Sequence, residues 1–368
     1  MKKIPFFNYP ALYQEQRSEF IKAMDETCAK GAYIMQQELL DFESAMSAYL
    51  GVKHAIGTAD GTMAILAGLI AAGIAPGDEV LVPSHTFVAT AAAIHHAGGK
   101  PVMVDCGRDH LIDPESAEKH ITSKTRGIVP VQLNGRTANM DEIGRIAQKH
   151  NLFIVEDACQ ALGSKFAGRF AGTFGLAGAF SFYPSKTLGC FGDGGAVITN
   201  DDQVAAKIRL LRDHGRGTDG KIWCFGFNSR LDNIQAAILN IKLKSYDKYI
   251  ARRREIACKY DASLRHLTQL LLPPAPDSDP KHFDIFQNYE IEAENRDSLR
   301  TFLSDNNIGT ILQWGGYVIH QSERLGLNND VPYADAMTSK YMLLPMNTAL
   351  TDEEVEYICE KIKEFYQA

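Results

Sequence analysis

Two spacings of apolar residues divide the chain. A helical spacing marks residues 11–30 through Phe20, Met24 and Cys28. It returns over 36–50, where Leu39, Phe42, Met46 and Tyr49 share a face and Gly51 supplies a stop. From residue 54 the pattern changes to short apolar runs: 54–62 reads as a short strand and a Gly/Thr turn, and further strands are predicted at 79–82, 101–104, 127–131, 152–155 and 195–199. Helices are predicted between them, after Thr62 and at 88–97, 114–120, 141–150 and 202–213. Near-continuous apolar strands alternating with helices imply an α/β architecture, a mostly parallel sheet covered on both faces. Asp232 reads as the N-cap of a long helix that runs beyond Tyr249. Near residue 250 the pattern shifts again. A charged helix at 250–265 is followed by a loop at 271–280 holding four prolines, a strand at 288–291, a helix at 297–305 and a last helix opened by the capping box at 351–354. Two units are expected: a large one over 1–249, including an N-terminal helical arm, and a smaller α+β one over 250–368.

Composition narrows the class. Apolar content of 45% and charged content of 23% are those of a soluble globular protein, with no membrane partner expected. The longest apolar run, 63–75, is too short and too rich in Gly and Ala to span a bilayer. A net charge of −7 and the lack of a basic arm argue against a nucleic-acid partner. Seven widely spaced cysteines, an odd number without a CxxC pair, indicate neither a disulfide framework nor a zinc site. Reduced thiols and a start without an apolar signal core suggest the cytoplasm.

In sheets of this kind ligands gather at the carboxyl ends of the strands, so the residues just beyond each strand are the candidates. Gly61 and Thr62 open a helix after a strand, which makes either an anion site or an ordinary capped helix. Phe87 is placed to stack on a planar ring or to fill the core. Gln132 and Asn134 follow the strand at 127–131. Asp157, at the tip of a buried strand, needs a cation or serves as an N-cap, and Gln160 follows it closely. The segment 179–186 sets Ser181, Tyr183 and Lys186 between an aromatic run and a glycine-rich turn. A lysine there is either a snorkelling surface residue or one that has condensed with an aldehyde, as in a pyridoxal 5′-phosphate (PLP) Schiff base. In that second reading Asp157 meets the pyridinium nitrogen, Gln160 donates to the ring oxygen and Ser181 holds the phosphate. Asn228 and Arg230 are polar groups in an aromatic neighbourhood, and Trp314 with His320 suggests a lid over a substrate cleft.

In order and spacing, Gly61-Thr62, Phe87, Asp157 to Gln160, Ser181 to Lys186 and Asn228 to Asp232 resemble the nucleotide-sugar aminotransferases of the DegT/StrS type. The resemblance covers about residues 5–365. It implies the aspartate-aminotransferase fold (type I of the PLP-dependent transferases), with a seven-stranded, mostly parallel sheet. It also implies PLP on Lys186, with pyridoxamine 5′-phosphate between half-reactions, Thr62 beside Ser181 at the phosphate, L-glutamate as donor and a keto-sugar linked to a nucleoside diphosphate as acceptor. The family's Asn before Ser-Arg-Leu reaches the phosphate of the other subunit, so Asn228 implies a homodimer with shared sites. Lysine at 186, where a dehydrating branch has histidine, implies transamination. The chain departs from the family at Gln132, Asn134 and Ala59-Asp60 and around Trp314, which leaves the sugar open.

Overall fold

The computed structural model describes residues 3–328 and 330–367. Helices α1 (Tyr9–Glu15), α2 (Arg17–Ala29) and α3 (Gln37–Leu50) precede strand β1 (His54–Thr58). The alternating part follows: α4 (Gly61–Ala71), β2 (Glu79–Pro83), α5 (Val88–His96), β3 (Lys100–Val104), α6 (Pro114–Lys119), β4 (Thr125–Ile128), α7 (Met140–His150) and β5 (Phe153–Asp157). Short strands β6 (Lys165–Phe166) and β7 (Arg169–Phe170) lead to β8 (Ala177–Ser181), β9 (Gly195–Thr199) and α8 (Asp202–Arg212). The remainder holds α9 (Asn233–Lys244), α10 (Tyr246–Leu264), β10 (Leu270–Leu271), β11 (His282–Phe283), β12 (Tyr289–Ala293), α11 (Arg296–Asp305), α12 (Pro332–Met337), β13 (Tyr341–Leu344) and α13 (Asp352–Gln367).

The main sheet has seven strands in the order β1-β9-β8-β5-β4-β2-β3. Only β9 runs against the rest, so the expected mostly parallel sheet is present. Helix α4 is buried nearly all round and packs across β5, β8 and β9, which explains its unbroken apolar run. Pairing aligns Asp157 with Ala179 and Ser181 with Gly195, so the ends of β5 and β8 open onto the same edge as the start of α4. A second sheet, β10-β12-β13, carries its own apolar core with α10, α11 and α13. Helix α10 serves both cores: Tyr246 and Ile250 pack with α3, and Ile256 to Leu264 pack with β12. The division expected at 249/250 therefore falls inside a helix. No helix among the described residues is long and apolar enough to cross a membrane.

Most expected elements are present, with local corrections. The helix expected over 11–30 breaks at Gln16, whose backbone leaves the helical region. The helix after Asp232 breaks at Ser245, and the Asp232 side chain makes no capping bond. The strand expected over 127–131 is regular only to Ile128: Pro130 has no N–H to give, and pairing resumes at the bridge between Val131 and Asp157. Gly51 ends α3 in the left-handed conformation at φ 66°, and the Thr351–Glu354 capping box closes in both directions at 3.0 and 3.2 Å. Strands β8 and β13 and the small sheet β11-β6-β7 were not anticipated.

Candidate active site

A cleft of about 620 Å³ opens at the strand ends, lined among others by Asp60, Gly61, Thr62, Phe87, Asp157 and Lys186. Gly61 is required where α4 begins: a Cβ there would lie 2.8 Å from both Cys159 Sγ and Ser181 Cβ. The helix start is thereby pressed against the end of β8. Asp60 caps the Met63 N–H at 2.8 Å, leaving the first N–H groups of α4 beside Thr62 and Ser181 to face the cleft. Such a terminus, with two hydroxyls alongside, suits a phosphate.

Asp157 is buried at the end of β5. It accepts from the Thr90 hydroxyl at 2.7 Å and the Cys159 N–H at 3.1 Å. No cation forms a salt bridge with it among the described residues. A buried carboxylate in that state fits a positively charged ring nitrogen. No helix follows it, so the N-cap alternative does not apply, and Gln160 sits in a turn. Lys186 lies across the cleft in a tight turn, its N–H donating to Tyr183 O at 2.8 Å. Burial pushes its ammonium below the ordinary lysine value, with Cys159 and Asp157 pulling the other way. Burial likewise pushes the Cys159 thiol well up, which keeps it neutral beside the amine. Residues across the cleft complete its walls: Phe87 at the start of α5 is 51% exposed, and its ring centre lies 6.4 Å from that of Trp314. Gln160 and Tyr183 also line the cleft.

Lys186, Asp157, Ser181, Thr62, Gly61, Phe87, Gln160, Tyr183 and Trp314 thus converge, and they fit PLP in charge and shape. The other candidates do not reach the cleft. Gln132 is fully buried and turns the other way, donating to Glu156 at 2.8 Å and accepting from the Ala138 N–H. It helps to hold a buried carboxylate that also takes the N–H groups of Gly172, Phe174 and Gly175. His320 spends both ring nitrogens, on Ser84 and on Asp335 at 2.9 Å. Arg230 pairs with Asp213 at 3.2 Å, and Asn228 is exposed outside this chain's cleft. Asn134 lies just behind the cleft, its N–H donating to Gln160 Oε1 at 2.9 Å. Sequence reasoning missed Thr90, which steadies Asp157. It also missed Gln287, which clamps the Lys186 turn by accepting from Thr187 N–H at 2.6 Å and donating to Ser185 O at 2.8 Å.

This fold and cleft are those of the PLP-dependent sugar aminotransferases. The chain belongs to the DegT/DnrJ/EryC1/StrS aminotransferase family, whose model matches residues 14–363. It is 37% identical to a pleiotropic regulatory protein of Geobacillus stearothermophilus over 368 residues, 99% of each chain. It is equally 37% identical over 369 residues to dTDP-3-amino-3,4,6-trideoxy-alpha-D-glucose transaminase of Streptomyces venezuelae, covering 99% of this chain and 96% of that one. Among solved structures, S. venezuelae DesV in complex with a ketimine intermediate superposes with a TM-score of 0.96 at 36% identity, covering 100% of both chains. NtdA of Bacillus subtilis with bound cofactor PMP gives 0.90 at 28% identity, over 100% of this chain and 86% of that one.

Proposed function

We propose that this protein is a PLP-dependent aminotransferase that moves an amino group from L-glutamate to a keto-sugar linked to a nucleoside diphosphate. The product is an amino sugar for surface polysaccharide or glycoside biosynthesis. The observation that carries this reading is a lysine whose amine burial favours in the neutral form, facing a buried carboxylate that has no cation of its own. PLP, when bound, supplies a ring that draws electrons from the carbon losing its proton. Lys186 Nζ would anchor the cofactor, be freed when the donor amine takes its place, and then carry the proton away from the amine-bearing carbon and return it. Asp157, its carboxylate fixed by Thr90 and the Cys159 N–H, would hold the ring nitrogen protonated. Phe87, Gln160 and the α4 start with Thr62 and Ser181 all line the cleft, where they would take the ring face, the ring oxygen and the phosphate respectively.

We read the active unit as a homodimer. Lys186 is the only Lys, Arg or His among the described residues lining the cleft, where Asp60, Asp157 and Asp193 are negative. A nucleoside diphosphate needs cations, and a second copy can bring them. The neighbourhood of Asn228 supports this: Ile222, Trp223 and Phe225 are exposed by 64%, 66% and 102%. Free cysteines throughout suit the cytoplasm. We infer a smaller unit that begins within α10, between Ile250 and Ile256, its core formed around β12.

One relative is named a regulatory protein, and dehydration and cyclitol transamination are the chemical rivals of this reading. A complete Lys186/Asp157 pair favours catalysis, and lysine at 186 favours transamination. The test is an absorbance spectrum of the PLP-loaded protein. A visible band that L-glutamate removes and a nucleotide-linked keto-sugar restores is the expected result. A band indifferent to glutamate would overturn the proposed reaction.

A further inference from the structure

Behind the cleft lies a buried charge cluster that the proposed chemistry does not use. Its centre is Glu290 on β12. His85, in the loop before α5, places Nε2 at 3.1 and 3.2 Å from the two Glu290 oxygens. His110 sets Nδ1 at 3.1 Å from Glu290 Oε2 and Nε2 at 3.2 Å from Glu292 Oε1. Two carboxylates facing both ring nitrogens require two N–H groups, so His110 is an imidazolium. Asn134 Nδ2 also donates to Glu290 Oε2. Every donor around the Glu290 carboxylate is thus supplied by the chain, and the cluster is complete without a metal ion.

Two arms run from Glu290 to one side chain. In the first, His85 Nδ1 is buried without a partner among the described residues, so Glu290 is the polar tether of this ring. The ring then meets Trp314 edge-on, with centres 5.1 Å apart. In the second arm, the Asn134 amide gives its NH2 to Glu290 and turns its oxygen toward Gln313 Nε2 at 2.8 Å and Asn288 Nδ2 at 2.9 Å. Gln313 immediately precedes Trp314, whose backbone is left-handed at φ 52°. Asn134 is itself left-handed at φ 55°, and that conformation aims its N–H at Gln160 Oε1. A carboxylate only accepts, so at position 290 it fixes which way the Asn134 amide faces and hence which way Gln313 is held.

We propose that Glu290 is the positioning residue for Trp314 as the wall of the acceptor side of the cleft, setting how the keto-sugar is held without touching it. This rests on the reaction proposed above. The test measures the two half-reactions separately in unmodified protein and in Glu290→Gln, which keeps the shape and removes the charge. The half-saturating concentration of the keto-sugar nucleotide should rise about tenfold, the size of one lost hydrogen bond or a small misplacement. Removal of the visible band by glutamate should stay within about twofold. Glu290→Asp should recover part of the loss. A second readout needs neither cofactor nor activity: in a Trp223→Phe background, Trp314 fluorescence of the apoprotein should become more open to acrylamide quenching in Glu290→Gln. Should Glu290→Gln not fold, Asn134→Gly cuts the second arm alone, suits the positive φ, and should give the same direction of change. Equal losses in both half-reactions, or unchanged sugar dependence and quenching, would overturn the positioning role. So would stoichiometric zinc uptake by the unmodified protein that Glu290→Gln abolishes. If the unmodified protein ignores glutamate, the proposed reaction falls, and the quenching arm still decides whether Glu290 holds Trp314.

Discussion

Two polar regions flank the same cleft and are built in opposite ways. On the cofactor side, Asp157, Ser181 and Lys186 stand at or just after the ends of neighbouring strands, so the sheet itself sets their spacing. On the other side, Glu290 gathers His85, His110 and Asn134 from positions 205, 180 and 156 residues away. The first region leaves chemistry open: a lysine amine whose pKa burial lowers and a carboxylate with no salt-bridge partner among the described residues. In the second, the Glu290 carboxylate has its donors supplied by the chain itself, from His85, His110 and Asn134. An active site needs groups whose demands only a ligand meets, whereas a support needs groups that meet one another.

The largest expected effect lies on the open side. Lys186→Ala should lower turnover by about 10⁴-fold or more, because anchor and proton carrier are lost together. The protein should still bind pyridoxamine phosphate, measured by equilibrium dialysis. Undiminished transamination would remove the lysine from the mechanism. Asp157→Asn comes next. It keeps the shape and the Thr90 contact but removes the charge that holds the ring nitrogen protonated. A buried charge-assisted hydrogen bond of about 2–3 kcal/mol corresponds to a fall in kcat of roughly 30- to 150-fold. A fall of less than threefold would show that the carboxylate is there for packing.

The same contrast explains what could be read from the sequence. The alternating elements and the cofactor wall were legible because each depends on a short stretch: an apolar run, a strand end, or six residues from Ser181 to Lys186. Gln132 misled for a physical reason. Position after a strand says that a side chain is near the edge, not which face it takes. Gln132 turns inward to Glu156, while Lys186 turns to the cleft. The Glu290 cluster was hidden more deeply. Alternating Tyr-Glu-Ile-Glu along β12 reads as a strand with one wet face, yet all five of its residues are buried. Only the packing of β12 against the 85 and 110 loops turns that face inward, and no local pattern announces it.

The smallest effect expected concerns stability, and it probes the closed side. Burial acts to lower the His110 pKa, but Glu290 and Glu292 outweigh it and raise it from 6.5 to about 9. The facing groups are Glu290 and Glu292 on β12, Tyr333 on α12 with its hydroxyl on Glu292, and His85 in the loop before α5; Lys340 lowers Glu292 from further off. A pKa raised in the folded state stabilises that state fully below the unfolded value and ceases to as pH passes the folded value. The contribution is therefore complete below pH 6.5, declines above it, and is gone beyond about pH 9. Glu290 has the opposite sign: its pKa is held well below the usual carboxylate range by the two histidines against the effect of burial, so its contribution fades only in acid. The apoprotein should lose about 2–5 °C in Tm between pH 6.5 and 9.5 from this pair. Because other groups titrate in that window, the decisive quantity is the difference from His110→Phe, which should melt lower at pH 6.5 by a gap that narrows as the pH passes about 9. Parallel melting curves across the range would mean that His110 carries no charge in the folded state, and the Glu290 carboxylate would then take its hydrogen bonds from neutral donors.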